Sequence, residues 1–266
     1  MPGTSPVALF VSPHLDDVAF SCGGTLARLR REGWVVALAT VFTRSIPAPT
    51  GFALACQLDK GLAPGVDYLA IRRDEDAAFG RIVGVDRLDW LDLPEAPHRG
   101  YASAPELFAG VRPGDEAWRD AADRLAPLIR ELDPAAVFAP MGVGDHVDHL
   151  HVIAALASIA GLAPKIAWYR DLPYAAKNPA ALPSPDLPPG LVPIAIPLDP
   201  ADLAAKLDGS AAYATQVPFQ FVDEAGLRGL LTSFALAEGR TFGLDATPAE
   251  VVLAAPDLAR ILAERG

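Results

Sequence analysis

The sequence predicts an α/β fold: a Rossmann-like three-layer sandwich with a mostly parallel sheet and a decorated C-terminal third. Three observations predict it. Short apolar runs such as Val7–Val11 and Val35–Phe42 recur through the first 160 residues. Segments of helical length and amphipathic pattern separate them. Beyond Pro164 the alternation gives way to proline-rich sequence. Strands alternating with helices at this spacing form βαβ units, whose crossovers cover both faces of a parallel sheet. The chain has 266 residues, of which 51% are hydrophobic, enough to bury one large core. No repeat or clean linker divides it, so residues 1–266 are read as a single domain.

The elements follow in order. Val7–Val11 is a buried strand, and residues 23–32 form a helix that stops at Gly33. Val35–Phe42 is the second strand. The stretch from Thr43 to Tyr68 carries Pro47, Pro49, Gly51 and Pro64 and reads as a loop with at most one or two helical turns. Ile71–Val83 reads as a helix, Leu88–Leu93 as a strand, Trp118–Leu132 as a helix and Ala136–Ala139 as a strand. His149–Ile159 is the next helix, and Lys165–Tyr169 a further strand. Six prolines make 178–193 an extended loop. Ile194–Leu198 then reads as a strand, with helices over Pro200–Tyr213 and Glu224–Glu238.

Charge and cysteine content exclude several functions. Lys and Arg number 22 against 33 Asp and Glu, for a net charge of −11. Without a basic tract the chain cannot neutralise a phosphate backbone, so no nucleic-acid partner is expected, and an anionic membrane is excluded for the same reason. The uncharged start of the chain ends in a cluster of His and Asp before it could span a bilayer or serve as a signal peptide, so a cytoplasmic location is expected. Cys22 and Cys56 cannot form a multi-bridge scaffold, and Cys22 reads as a small packing residue. No Gly-x-Gly-x-x-Gly or phosphate-loop motif is present, which disfavours a nucleotide cofactor.

Four of the five histidines fall in two clusters. Ser12-Pro13-His14-Leu15-Asp16-Asp17 follows the first strand, and Gly144-Asp145-His146-Val147-Asp148-His149-Leu150-His151 follows the fourth. Both lie beyond the C-terminal ends of parallel strands, where open α/β sheets bind ligands. If those strands are neighbours, the clusters share one crevice. Two imidazoles and a carboxylate, with a fourth position left to water, are the ligand set of catalytic zinc. The adjacent Asp16 and Asp17 offer one metal ligand and one general base, and the Asp148 carboxylate is positioned to orient His146 and stabilise its imidazolium. Asp17 or Asp145 could instead simply cap a helix. His151, two residues from His149, falls on another helix face, and His98 in its Pro/Gly loop reads as structural or solvent-facing.

Pro13-His14-Leu15-Asp16-Asp17 with Ser21-Cys22-Gly23-Gly24-Thr25-Leu26 resembles the signature of the PIG-L / LmbE-like N-acetylglucosaminyl deacetylases. His146-Val147-Asp148-His149 resembles that family's second, H-x-D-H motif. Arg72-Arg73-Asp74-Glu75 and the residues after it resemble a third segment. The similarity spans about residues 7–160, and Asp171-Leu172-Pro173-Tyr174 looks like a stretch found in bacterial members that act on glycosylated small molecules. The resemblance implies Zn²⁺ held by His14, Asp17 and His149. It implies Asp16 as general base and His146, paired with Asp148, at the oxyanion or as an acid. The implied substrate is a small-molecule N-acetylated sugar or glycoconjugate. The sequence departs from the family at Leu15, at Val18 and at Gly144, where several members carry Tyr; a tyrosine hydroxyl must then come from elsewhere or be absent. Arg72 and Arg44 are candidate substrate-binding residues, with an ordinary ion pair, such as Arg72–Glu75, as the alternative for each. The rival readings are a zinc amidohydrolase acting on a longer or non-sugar amide, and a catalytically silent ligand-binding member of the fold.

Overall fold

A computed structural model describes residues 5–264. Its strands are β1 (Val7–Ser12), β2 (Val35–Thr40), β3 (Arg87–Trp90), β4 (Ala136–Pro140), β5 (Ile166–Tyr169), β6 (Val192–Pro197) and β7 (Ala249–Ala254). Helices α1 (Asp17–Arg31), α2 (Gly51–Leu58), α3 (Tyr68–Val83), α4 (Ala104–Leu107), α5 (Ala117–Leu132) and α6 (Val147–Ser158) accompany the first half of the sheet. Helices α7 (Tyr174–Lys177), α8 (Pro200–Ala211), α9 (Val217–Phe221), α10 (Glu224–Thr241) and α11 (Pro256–Glu264) make up the remainder. The strands form one sheet in the order β3-β2-β1-β4-β5-β7-β6. The first five pair in parallel, and β7 runs antiparallel to both β5 and β6.

Chain direction reverses across the sheet at β1. Its register runs Ala8 opposite Val36 on one side and Ala8 opposite Ala136 on the other. With β2 and β4 on either side, the crevice beyond the end of β1 is the topological switch point of the sheet. Phe10 of β1 stacks on Phe138 of β4, with ring centroids 4.4 Å apart. Burying strands on both faces leaves near-continuous apolar runs, as β1, β2 and β4 show.

Strand β7 and helix α11 have no counterpart in the pattern read from sequence, because Ala249–Ala254 contains Glu250 and lacks a clean apolar run. The structure supplies the reason for that glutamate. Helix α1 starts at Asp17, earlier than expected, and breaks its helical geometry at Cys22. Beyond the break, the amides of Gly24 and Thr25 and the Thr25 hydroxyl donate to the Glu250 carboxylate at 3.1, 2.6 and 2.6 Å. A carboxylate on freed helical amides satisfies both the donors and the helix dipole. Buried Lys206 of α8 donates to the same carboxylate at 2.5 Å. A Cβ on Gly24 would sit 2.5 Å from Leu198 Cδ1 and 3.1 Å from Glu250 Oε1, so a larger residue would have to push both side chains aside. Cys22 is fully buried, as its packing role requires.

The expected loop from Thr43 to Tyr68 holds α2, which amounts to two turns. Among the described residues no helix is long and apolar enough to cross a membrane.

Glu250→Ala should lower unfolding free energy by about 3–5 kcal/mol, because it strands the Lys206 ammonium and two helical amides in the core. Urea denaturation reads this directly, and an unchanged midpoint would show that the network contributes nothing. A second prediction concerns pH. Burial raises the Asp76 carboxyl above its ordinary value, although Tyr213 Oη and Trp90 Nε1 donate to it at 2.6 and 2.8 Å. A carboxyl raised in the fold favours the protonated state, so its contribution falls as pH rises from about 3.9 through the folded value. Replacing Asp76 with Asn should remove that decline, measured as unfolding free energy against pH.

Candidate functional site

The two His/Asp clusters meet where β1 and β4 end side by side. Ser12, the last residue of β1, organises the first turn: its hydroxyl donates to the His14 carbonyl at 2.6 Å and accepts from the Val18 amide at 3.1 Å. Asp17 Oδ2 accepts from the His14 amide at 2.8 Å, which folds the carboxylate back over the turn. After β4 the chain passes through Gly142 and Gly144 at φ +75° and +93°, a conformation that favours glycine. His146 then caps α6, its Nδ1 accepting the Asp148 amide at 3.2 Å.

Asp17 Oδ2 lies 3.1 Å from His14 Nδ1 and 3.3 Å from His149 Nε2. Three ligand atoms on a tetrahedral ion at ~2.0–2.2 Å would be separated by roughly 3.3–3.5 Å, so the spacing suits a small divalent cation. His149 Nε2 is buried beside Asp17 and makes no well-formed hydrogen bond, so this ring nitrogen is available to a ligand. The far nitrogens of both imidazoles are held. His14 Nε2 lies 2.9 Å from Asp148 Oδ2, and His149 Nδ1 lies 2.5 Å from Asp171 Oδ1. A carboxylate behind each imidazole is the arrangement that fixes tautomer and orientation in metal sites. Ring nitrogens of His14, His146 and His149 also come within 4.8 Å of one another, a second group able to hold a metal. His146 is the weakest member of that group, because its Nδ1 accepts the α6 amide and its proton is thereby placed on Nε2.

Two expectations are corrected here. The carboxylate of Asp148 makes no hydrogen bond to His146. It binds His14, accepts the Ala96 amide at 3.1 Å, and pairs with Arg99 at 2.8 Å. Asp148 contributes its amide to His146 instead, because His146 occupies the cap position and its ring folds over the first turn of α6. Nor is His146 an imidazolium. A ring nitrogen that accepts an amide proton is deprotonated, which places the single proton on Nε2. Burial, reinforced by the charge of His14, holds this ring well below the usual histidine range.

Asp16 is buried beside Arg72, whose Nη2 lies 3.4 Å from Oδ1. Burial raises the Asp16 carboxyl to about 7 against the pull of Arg72. Arg72 also donates to Glu95 at 2.7 Å and to the Leu15 carbonyl at 3.0 Å. It does not pair with Glu75, which binds Thr215. Arg72 lines the cavity, whereas Arg44 does not: Arg44 sits at the surface, 3.3 Å from Asp92. Arg44 therefore leaves the set of substrate-binding candidates. His151 turns away from His149 towards Asp115, at 3.0 Å. His98 is half-buried and lines a separate small recess.

Sequence reasoning gave no role to four contributors. Asp171 follows the end of β5 just as the two clusters follow β1 and β4, and the sequence marked it only as part of the stretch Asp171-Leu172-Pro173-Tyr174, with no role at the site. Glu95 and Arg99 flank a short 3₁₀ turn, Ala96–Arg99, and reach Arg72 and Asp148 respectively. Nothing in the local sequence of that turn marks it. Tyr174 packs on Gly144, where a Cβ would lie 3.1 Å from its ring, and its centroid is 5.8 Å from that of His149. An aromatic ring thus reaches the site from α7 where the departure at Gly144 had removed one.

A pair of ring-held imidazoles around a shared carboxylate, with a second buried carboxylate alongside, is a metal-capable hydrolytic centre in a cavity of about 330 Å³. Residues 9–160 match the family described as PIG-L, GlcNAc-PI de-N-acetylase. The chain belongs to that family. It is 36% identical over 224 residues to a 2'-N-acetylparomamine deacetylase of Streptomyces fradiae, covering 81% of this chain and 75% of the relative. Among solved structures, it matches the A40926 pseudoaglycone deacetylase with a TM-score of 0.78 and 26% identity, over 95% and 97% of the two chains. The zinc-inhibited form of teicoplanin deacetylase matches with a TM-score of 0.79 and 24% identity, over 93% and 97%. The mostly parallel sheet expected from sequence is the fold these proteins share.

Proposed function

We propose that the chain is a zinc-dependent N-deacetylase that hydrolyses the acetamide of an amino sugar carried by a larger small molecule, in the cytoplasm. The observation that carries this reading is the Asp17-centred triangle with Asp16 beside it: His14, Asp16 and Asp17 line one cavity, and the buried His149 ring reaches Asp17 from behind it. The relatives named for N-acetylparomamine and for the A40926 pseudoaglycone support a sugar-bearing metabolite.

In this reading His14 Nδ1, Asp17 Oδ2 and His149 Nε2 hold Zn²⁺, with Asp148 and Asp171 fixing the two imidazoles from behind. When bound, zinc supplies Lewis-acid chemistry that polarises the acetamide carbonyl and acidifies a water. Asp16 takes the proton of the attacking water, and Arg72 keeps that carboxyl aimed into the cavity. His146 presents its Nε2–H to the carbonyl oxygen as negative charge builds there. The C–N bond then breaks, and a proton must reach the leaving nitrogen. A neutral His146 that gave up its single proton would become an imidazolate, so Asp16 returns the proton it received. The products are acetate and the free amine.

Metal analysis and acetate release from a panel of N-acetyl sugars test the reading. Asp16→Asn should keep its zinc while kcat falls by about 10²–10⁴, the usual contribution of a positioned base. His14→Ala and His149→Ala should lose most of their zinc, and Asp171→Ala should weaken zinc binding by about 10–100-fold. Full occupancy in either histidine variant would reassign the ligands. A zinc-loaded wild type that releases no acyl product across the panel would leave only a binding protein.

A further inference from the structure

The cavity beyond the reacting groups has a composition of its own. Phe52 of α2, Phe108 just after α4 and Phe219 of α9 line it, each from a short element outside the βαβ core. Phe108 is 39% exposed and Phe219 56% exposed. Large aromatic side chains left this open beside a cavity mark a surface waiting for an apolar partner. The surface begins at the chemistry itself, since the Phe108 ring lies 5.2 Å from the His146 ring, edge to face. Whatever is bonded to a sugar seated at the site therefore meets Phe108 first.

Charge narrows the partner further. The carboxylates lining the cavity are Asp16, Asp17, Glu95 and Asp148, and each is engaged by Arg72, Arg99 or the histidines. The two remaining cations, Lys60 and Lys177, form no ion pair with a carboxylate among the described residues. The Lys60 ammonium donates to the Cys56 carbonyl at 3.1 Å and stands 4.2 Å over the Phe219 ring. In a chain of net charge −11, the free charge of the cavity is thus positive. An acceptor bearing several ammonium groups would meet two like charges and no available carboxylate, an arrangement that rejects it.

We propose that the site selects N-acetylated glycosides whose aglycone offers a flat aromatic surface and no additional ammonium groups, with Phe108 and Phe219 as the specificity-determining residues. This rests on the deacetylase reading for the reaction and adds the substrate class. Aromatic rings stack on such a surface, whereas a small alkyl group leaves the phenylalanines exposed to water.

Three substrates decide it: the p-nitrophenyl, methyl and bis-aminoalkyl glycosides of N-acetylglucosamine. Kd is measured by calorimetry on the Asp16→Asn protein, and acetate release on the wild type. The aryl glycoside should bind at least tenfold more tightly than the methyl glycoside, and the aminoalkyl glycoside should bind weakest. Phe219→Ala and Phe108→Ala, both at partly exposed positions, should raise KM for the aryl substrate about five- to tenfold. For the methyl substrate Phe219→Ala, which does not touch the reacting groups, should leave KM within twofold and kcat unchanged. Lys60→Glu should improve binding of the aminoalkyl glycoside. Equal affinity for the aryl and methyl glycosides, or tightest binding of the aminoalkyl one, overturns the proposal. Aryl-selective binding without acetate release would uphold the proposed selectivity and sink the deacetylase reading instead.

Discussion

One carboxylate oxygen carries the geometry of the site. Asp17 Oδ2 accepts the His14 amide and stands within 3.3 Å of ring nitrogens on both His14 and His149. Those histidines come from segments more than 130 residues apart, so the oxygen joins the two halves of the crevice. Its position depends on the Ser12 turn at the end of β1, and the pairing of β1 with β4 brings the second cluster alongside that turn. Moving Asp17 would take away the one group that both imidazoles share, leaving each ring held only by its own brace, Asp148 or Asp171.

Around that oxygen the fold builds restraint outward in a consistent way. Each imidazole is braced by a carboxylate, and each brace is itself held. Asp148 is fixed by the Ala96 amide and Arg99, and Asp171 by the Val143 amide at 2.9 Å. Asp16 is aimed by Arg72, which Glu95 holds in turn. The 3₁₀ turn around Ala96–Arg99 therefore supports both clusters, a task its Pro/Gly sequence does not advertise. The scaffold farther out uses the same logic when Glu250 receives the amides freed by the break in α1. Buried charge in this protein is concentrated where it fixes an orientation.

How much of this was legible depended on range. The strands and the His/Asp clusters could be read locally, because apolar runs and adjacent ligating residues are properties of a few consecutive positions. Helix periodicity alone separated the faces of His149 and His151, and the resemblance of the H-x-D-H motif chose His149 for the site. The His146–Asp148 pairing misled for a related reason. Spacing showed that the two residues were close, but not that His146 would take the cap position and receive the backbone amide rather than the side chain. Arg44 looked like a site residue from its place after β2, and only packing showed it at the surface with Asp92.

By itself the sequence determined the strand–helix alternation, the two motifs with their ligand chemistry, and the absence of any basic tract for a polyanion. These are one-dimensional quantities: hydrophobic period, residue type, spacing and charge. Only the tertiary structure decided which carboxylate braces which imidazole, that Asp171, Glu95 and Arg99 belong to the site, and that β7 inserts antiparallel to deliver Glu250 beneath α1. It also decided that the free charge of the cavity in an acidic chain is positive. Each of these depends on contacts between residues distant in sequence, whose geometry is fixed only once the sheet has brought its strand ends together.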